Sequence, residues 1–274
     1  MRYPSRVRLG FALLLAVAPI RVSPVRALDI TTCGQVVPAG ESAVLQADLS
    51  ACRDNASLTL EDGASVQLNG HSITGSEVGI LCRAGCSVKG PGKISVEYIA
   101  IEQLDYPVRR PSLTVEDLNL ENNGASAIAS PGGVVFAKNL TVTGTGLGFN
   151  PPNTEGICGL NLPPATIAGR RLVGKNLTVT NNAGWGVVAT RLRLVRSVVT
   201  GNGERGDSVD IVARRRPRLF HATCGKSRSF PRKAHGAYRM LPWGVCTGRR
   251  ALTERSAGSH PVTARLILSV PERV

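Results

Sequence analysis

Leu177-Thr178-Val179-Thr180-Asn181-Asn182 decides the fold, because it is one copy of a recurring unit. Leu118-Asn119-Leu120-Glu121-Asn122-Asn123-Gly124 and Leu140-Thr141-Val142-Thr143-Gly144-Thr145-Gly146 repeat it. Ser65-Val66-Gln67-Leu68-Asn69-Gly70 precedes them, and Ser197-Val198-Val199-Thr200-Gly201-Asn202-Gly203 is a weaker fifth copy. Each copy alternates apolar and polar residues and closes on Asn or Gly. Alternation at period two marks strands. With Leu68, Ile94, Leu120, Val142, Val179 and Val199 taken as equivalent, the spacings are 26, 26, 22, 37 and 20 residues.

Upstream of most copies sits a second alternating pair: Leu58/Leu60, Leu113/Val115, Val134/Phe136 or Leu192/Leu194. Downstream sits a third apolar piece, such as Gly79-Ile80-Leu81, Ala127-Ile128-Ala129 or Gly186-Val187-Val188. The unit is therefore strand, turn, strand, Asn/Gly turn, strand. Strands this short cannot bury a core alone. Stacked at a fixed repeat, each pairs with its equivalents above and below, and the inward Val, Leu and Ile merge into one core. Asn and Gly suit corners at positive φ, and stacked Asn side chains can form ladders. The leucine-rich consensus is absent, and a β-sandwich would not place the same motif at the same point of every unit. The expected fold is all-β, a parallel β-helix of three-strand coils.

The whole sequence of 274 residues is 42% hydrophobic and 19% charged, which excludes a disordered chain. Residues 1–27 read as a secretory signal. Arg2, Arg6 and Arg8 form a basic start, Leu9 to Ile20 is an apolar run too short to span a membrane, and Val25-Arg26-Ala27 offers a cleavage site before Leu28. A secreted, periplasmic or cell-surface location follows, with no transmembrane segment in the mature chain. The net charge of +14 falls to about +9 when the five signal arginines are removed. Export permits disulfides. The seven cysteines leave at least one unpaired or shared between chains, and sequence alone leaves their connectivity open. Pairing by proximity gives Cys33–Cys52, Cys82–Cys86 and Cys224–Cys246, with Cys158 left over. Cys82 and Cys86 have a ligand-like spacing, but no second Cys or His pair completes a zinc site, so neither metal nor cofactor is expected.

The ends of the chain carry a resemblance. Cys33-Gly34, Gly40, Asp48-Leu49 and Cys52 lead into the first coil at Leu58. Asp210 to Leu219, then Thr223-Cys224-Gly225-Lys226-Ser227 and Trp243-Gly244-Val245-Cys246, close the other end. Over about residues 30–248 the chain resembles the exported right-handed β-helix repeat-containing proteins of bacteria, within the pectate-lyase-like superfamily. That family is named for its fold, and its members mostly lack an assigned activity, so the resemblance implies fold and export. The expected organisation is a signal over 1–27, an N-terminal cap over 28–56 and repeats over 57–213. A basic Cys-bounded cap over 214–248 and an irregular tail over 249–274 follow, and the proline-rich excess within Gly146–Gly169 is expected to project as a loop.

Glycosidases need two carboxylates facing across a groove. The candidates are Glu116, Asp117 and Glu121 on one coil and Glu204, Asp207 and Asp210 on the last. The β-helix polygalacturonases carry Asn-Thr-Asp, Asp-Asp and Gly-His-Gly; here only Asn153-Thr154-Glu155 comes near. The lyase pattern R-x-P-x-x-R fails at Phe220 in Arg215-Arg216-Pro217-Arg218-Leu219-Phe220. Arg214, Arg215, Arg216 and Arg218, with Asp207 and Asp210, are the candidate ligand-binding residues, since a guanidinium fork fits an acidic polysaccharide. The competing role for these arginines is to cover the end of the core and pair with the two acids. Nucleic acid is not expected, because export and the lack of interleaved aromatics oppose it. The expected function is a non-catalytic exported protein that binds or organises carbohydrate at the cell surface. The alternative is a polysaccharide lyase, hydrolase or epimerase acting on an acidic glycan.

Overall fold

The computed structural model describes residues 27–104, 111–146, 165–203, 209–229 and 241–246, the last as backbone only. Among them the chain forms one sheet of 18 strands and no helix. The strands wind as a parallel β-helix with three faces, here A, B and C. Face A runs through Leu28–Ile30, Ser42–Leu45, Ala64–Gln67 and Arg218–Phe220 at its ends. Between them it uses residues 86–89, 112–116, 134–138, 171–175 and 191–195. Two strands, Ser126–Thr143 and Ala165–Thr180, pass over faces C, A and B without a break. Pairing among the described strands is parallel throughout, except that Thr223–Ser229 meets Leu241–Cys246 antiparallel.

Each face contributes one inward column. On face B, Leu49, Ile73, Ile94, Leu120, Val142, Val179, Val199 and Cys224 stack in register, and every one is buried. On face C the column is Leu58, Ile80, Ile101, Ile128, Ile167, Val187 and Ile211. On face A it includes Val66, Val88, Val115 and Ala137. Like packs on like at the inter-strand spacing of about 4.8 Å, which gives one continuous core.

The corners explain the Asn and Gly. Between faces A and B stand Asp117, Asn139, Asn176, Arg196 and His221, with φ of 58°, 52°, 54°, 50° and 49°. Between B and C stand Asn122, Gly144, Asn181 and Gly201, with φ of 52°, 66°, 56° and 68°. Left-handed backbone favours Gly and Asn. Arg196 and His221 adopt it because the corners above and below dictate the path.

Two expectations need correction. Leu68 is not the partner of Ile94; Ile73 is. Asn69 and Gly70 both turn left-handed, so the first coil reaches face B later than its motif implied. Val134 and Phe136 do not point inward. Val135 and Ala137 do, and Phe136 is 41% exposed. Every residue of Val134–Ala137 is apolar, so that stretch fits either phase, and the inward Leu113 and Val115 of the preceding coil select the phase. Parallel strand pairing runs from Leu28 through the segment 28–56 expected as the N-terminal cap. Ala165–Gly169 is face C strand, and residues 147–164, inside the stretch expected to hold the projecting excess, lie outside the described residues.

Two disulfides are present as paired by proximity, Cys33–Cys52 and Cys82–Cys86. Cys224 is also disulfide-bonded, and it stands opposite Cys246 in the antiparallel pair. Leu219 packs against the core at this end, while Phe220 is 47% exposed. Cys158 and the 249–274 tail lie outside the described residues.

Candidate anion-binding face

Strand alternation builds this site. Leu192 and Leu194 point inward, so Arg191, Arg193 and Val195 point outward. On the preceding coil Leu172 is buried, which turns Arg171, Val173 and Lys175 outward. Lys138 and Phe136 face outward on the coil before that, and Arg218 and Phe220 on the coil after. The register then fixes the neighbours: Arg171 beside Arg191, Lys138 beside Lys175, Arg193 beside Arg218, and Val195 beside Phe220. Neighbouring rungs are about 4.8 Å apart.

The corner entering face A adds more cations. Gly169, Ala189 and Ala213 are in register, so Arg170, Thr190 and Arg214 follow at one level. The Arg214 amide donates to the Ala189 carbonyl at 3.1 Å, and the Arg215 amide donates to the Thr190 carbonyl at 3.0 Å. Arg214, Arg215 and Arg216 are exposed there, beside Arg171 and Arg191. The Arg193 guanidinium lies 5.4 Å from the centre of the Phe220 ring, a cation–π contact that orders both side chains. Glu116, in register with Lys138, is the carboxylate at the lower border of this field. Ion pairs on other parts of the described surface are Arg83–Glu61, Lys93–Glu121 and His71–Asp48.

Arg214, Arg215, Arg216 and Arg218 therefore do come together, on a surface where sequence reading missed Arg170, Arg171, Arg191, Arg193, Lys138 and Lys175. A signal was available. Arg171, Arg191, Arg193 and Arg218 each immediately precede an inward Leu, and an alignment of repeats by that Leu would have stacked them. Asp210 is not on this surface. It is buried, and its carboxylate accepts from the Asn202 amide and the Asn202 side chain, both at 2.9 Å. Glu204 and Asp207 lie outside the described residues.

The other acids are dispersed. Glu116 points out of face A, Asp117 accepts from Asn139 at a corner, and Glu121 sits on face B against Lys93 at 2.6 Å. Glu102 is half-buried on the outer side of face C, where burial pushes its carboxyl up. The formal glycosylation sequons at Asn139 and Asn176 are occupied structurally: Asn176 donates to Asn139 at 2.8 Å, and Asn139 donates to Asp117. Among the described residues no group of three His, Cys, Asp or Glu could hold a metal ion, and no helix is long and apolar enough to cross a membrane. No protein-family model, no curated protein and no solved structure matches the chain.

Proposed function

We propose that this chain is an exported β-helix protein, of the pectate-lyase-like type its repeats resemble, that binds an acidic polysaccharide on face A without cleaving it. The observation that carries the reading is the continuous field of exposed cations over the later coils, with Glu116 in register at its border. Like charges about 4–6 Å apart repel by up to about 1 kcal/mol per pair even in water. The fold does not need them, because the core beneath is apolar and complete. An array of standing repulsions that an anion relieves supports a binding role. The dispersal of Glu116, Asp117 and Glu121 over two faces and a corner favours binding over hydrolysis, which needs paired carboxylates.

The test is titration of the purified protein with acidic polysaccharides by calorimetry, with mass spectrometry of the mixture afterwards. The expected result is saturable binding that weakens as salt rises, with no shortened or unsaturated product. Replacing Arg171, Arg191 and Arg193 together by Gln should lower affinity at least tenfold while leaving the melting temperature nearly unchanged, since all three are exposed. Binding untouched by the triple change would refute the site, and product formation would refute the non-catalytic reading.

A further inference from the structure

Resting on the reading of face A as a polysaccharide site, we infer that its ligand is a densely sulfated linear glycan lying along the helix axis. Charge density distinguishes this ligand from a plain polyuronate. Each coil advances the surface by about 4.8 Å, close to the length of one sugar in an extended 1,4-linked pyranose chain. A chain carrying one carboxylate per sugar would bring one anion per coil. Face A and its corner present more than that on three successive coils: Arg170, Arg171 and Lys175, then Arg191 and Arg193, then Arg214, Arg215 and Arg218. Matching that field takes two or more anions per sugar.

The kind of cation agrees. Lys138 and Lys175 are the lysines of the field, and the rest are arginines. Guanidinium is more weakly hydrated than ammonium, and it pairs best with anions that are themselves weakly hydrated, as sulfate half-esters are. A carboxylate has two coplanar oxygens, whose shared edge takes one guanidinium fork. A sulfate ester has three terminal oxygens and can take forks from two arginines on neighbouring rungs, such as Arg171 with Arg191 or Arg193 with Arg218. Phe136 and Phe220, both exposed, offer apolar platforms for sugar rings within the same field.

The test compares three probes of equal chain length by calorimetry at physiological salt: a polysulfated glycan, the same glycan after desulfation, and a homopolyuronate. Polyphosphate and a DNA duplex serve as non-glycan polyanions. The expected result is at least tenfold tighter binding to the sulfated glycan than to every other probe. The double change R191K/R193K keeps the charge and removes the forks, so it should weaken binding of the sulfated glycan by a larger factor than binding of the uronate; an equal or larger loss on the uronate would overturn the sulfate inference. Uronate binding as tight as sulfate binding, and lost in the Arg171, Arg191 and Arg193 to Gln variant, would overturn the sulfate inference and keep the polysaccharide reading. Tighter binding to polyphosphate or DNA, or no binding to any glycan, would overturn both.

Discussion

Thr145 interrupts a column of buried polar side chains at the corner between faces B and C. The Asn182 side chain donates to Asn202 at 2.7 Å and accepts from the Thr145 amide at 2.9 Å, and Asn202 in turn donates to Asp210. On the other side of Thr145, the Asn123 side-chain oxygen accepts from the Val96 amide at 3.0 Å, while the Asn123 side-chain NH2 and the Thr145 hydroxyl are buried with no hydrogen-bond partner. An Asn at 145 would accept from Asn123 and donate toward Asn182, completing the column. Satisfying a buried orphan donor is worth about 1–3 kcal/mol, so Thr145→Asn should raise the melting temperature. A lower one would contradict this reading of the column. Glu102 supplies a second prediction at this scale. Burial raises its folded-state carboxyl above the unfolded value. Its folded state therefore binds the extra proton, and stability falls as pH rises from the ordinary carboxyl range through the raised value. Glu102→Gln should stabilise the protein near neutral pH and change little in acid below that range, as thermal denaturation at both pH values will show.

At the scale of strands and corners, stability comes from like stacked on like. Ile128 is fully buried between Ile101 and Ile167. Ile128→Ala should cost about 2–5 kcal/mol, whereas Phe136→Ala on the outer face should cost under about 0.5 kcal/mol; denaturant unfolding of the two variants checks both. A large loss at Phe136 would return that strand to the opposite phase. This contrast also marks what was legible in the sequence. Strands with clean alternation, such as Leu118–Glu121 and Leu177–Thr180, declare both their existence and their inward residues. Val134–Ala137 does not, because four apolar residues carry no phase, and only the neighbouring coils supply it. The cation field was half visible for the same reason. Arg214–Arg218 stand out as a run, while Arg171, Arg191 and Arg193 are isolated in sequence and become neighbours only through register. Asp210 looked like one more acid beside the run, and nothing local announces that Asn202 holds it inside.

For the molecule as a whole, a solenoid is weakest at its ends, where a coil lacks a neighbour on one side. Cys33–Cys52 closes a loop with a sequence separation of 19 around the first coils. A crosslink of that span contributes about 3 kcal/mol in the chain-entropy account. Cys33→Ser/Cys52→Ser should therefore lower the melting temperature, with faster amide exchange confined to residues 28–60; unchanged exchange there would remove the disulfide from the account. The same one-dimensional architecture makes face A what it is: a rigid core fixes the rungs, so side chains scattered over more than eighty residues of sequence form one field. The most direct test of that field is arginine-selective chemical modification with and without a saturating acidic polysaccharide, read residue by residue by peptide mass spectrometry. The account predicts protection of Arg171, Arg191, Arg193 and Arg218, and none at Arg53 or Arg83, which lie on the early coils. Uniform protection, or protection at Arg53 and Arg83 with the face A arginines still reactive, would contradict it.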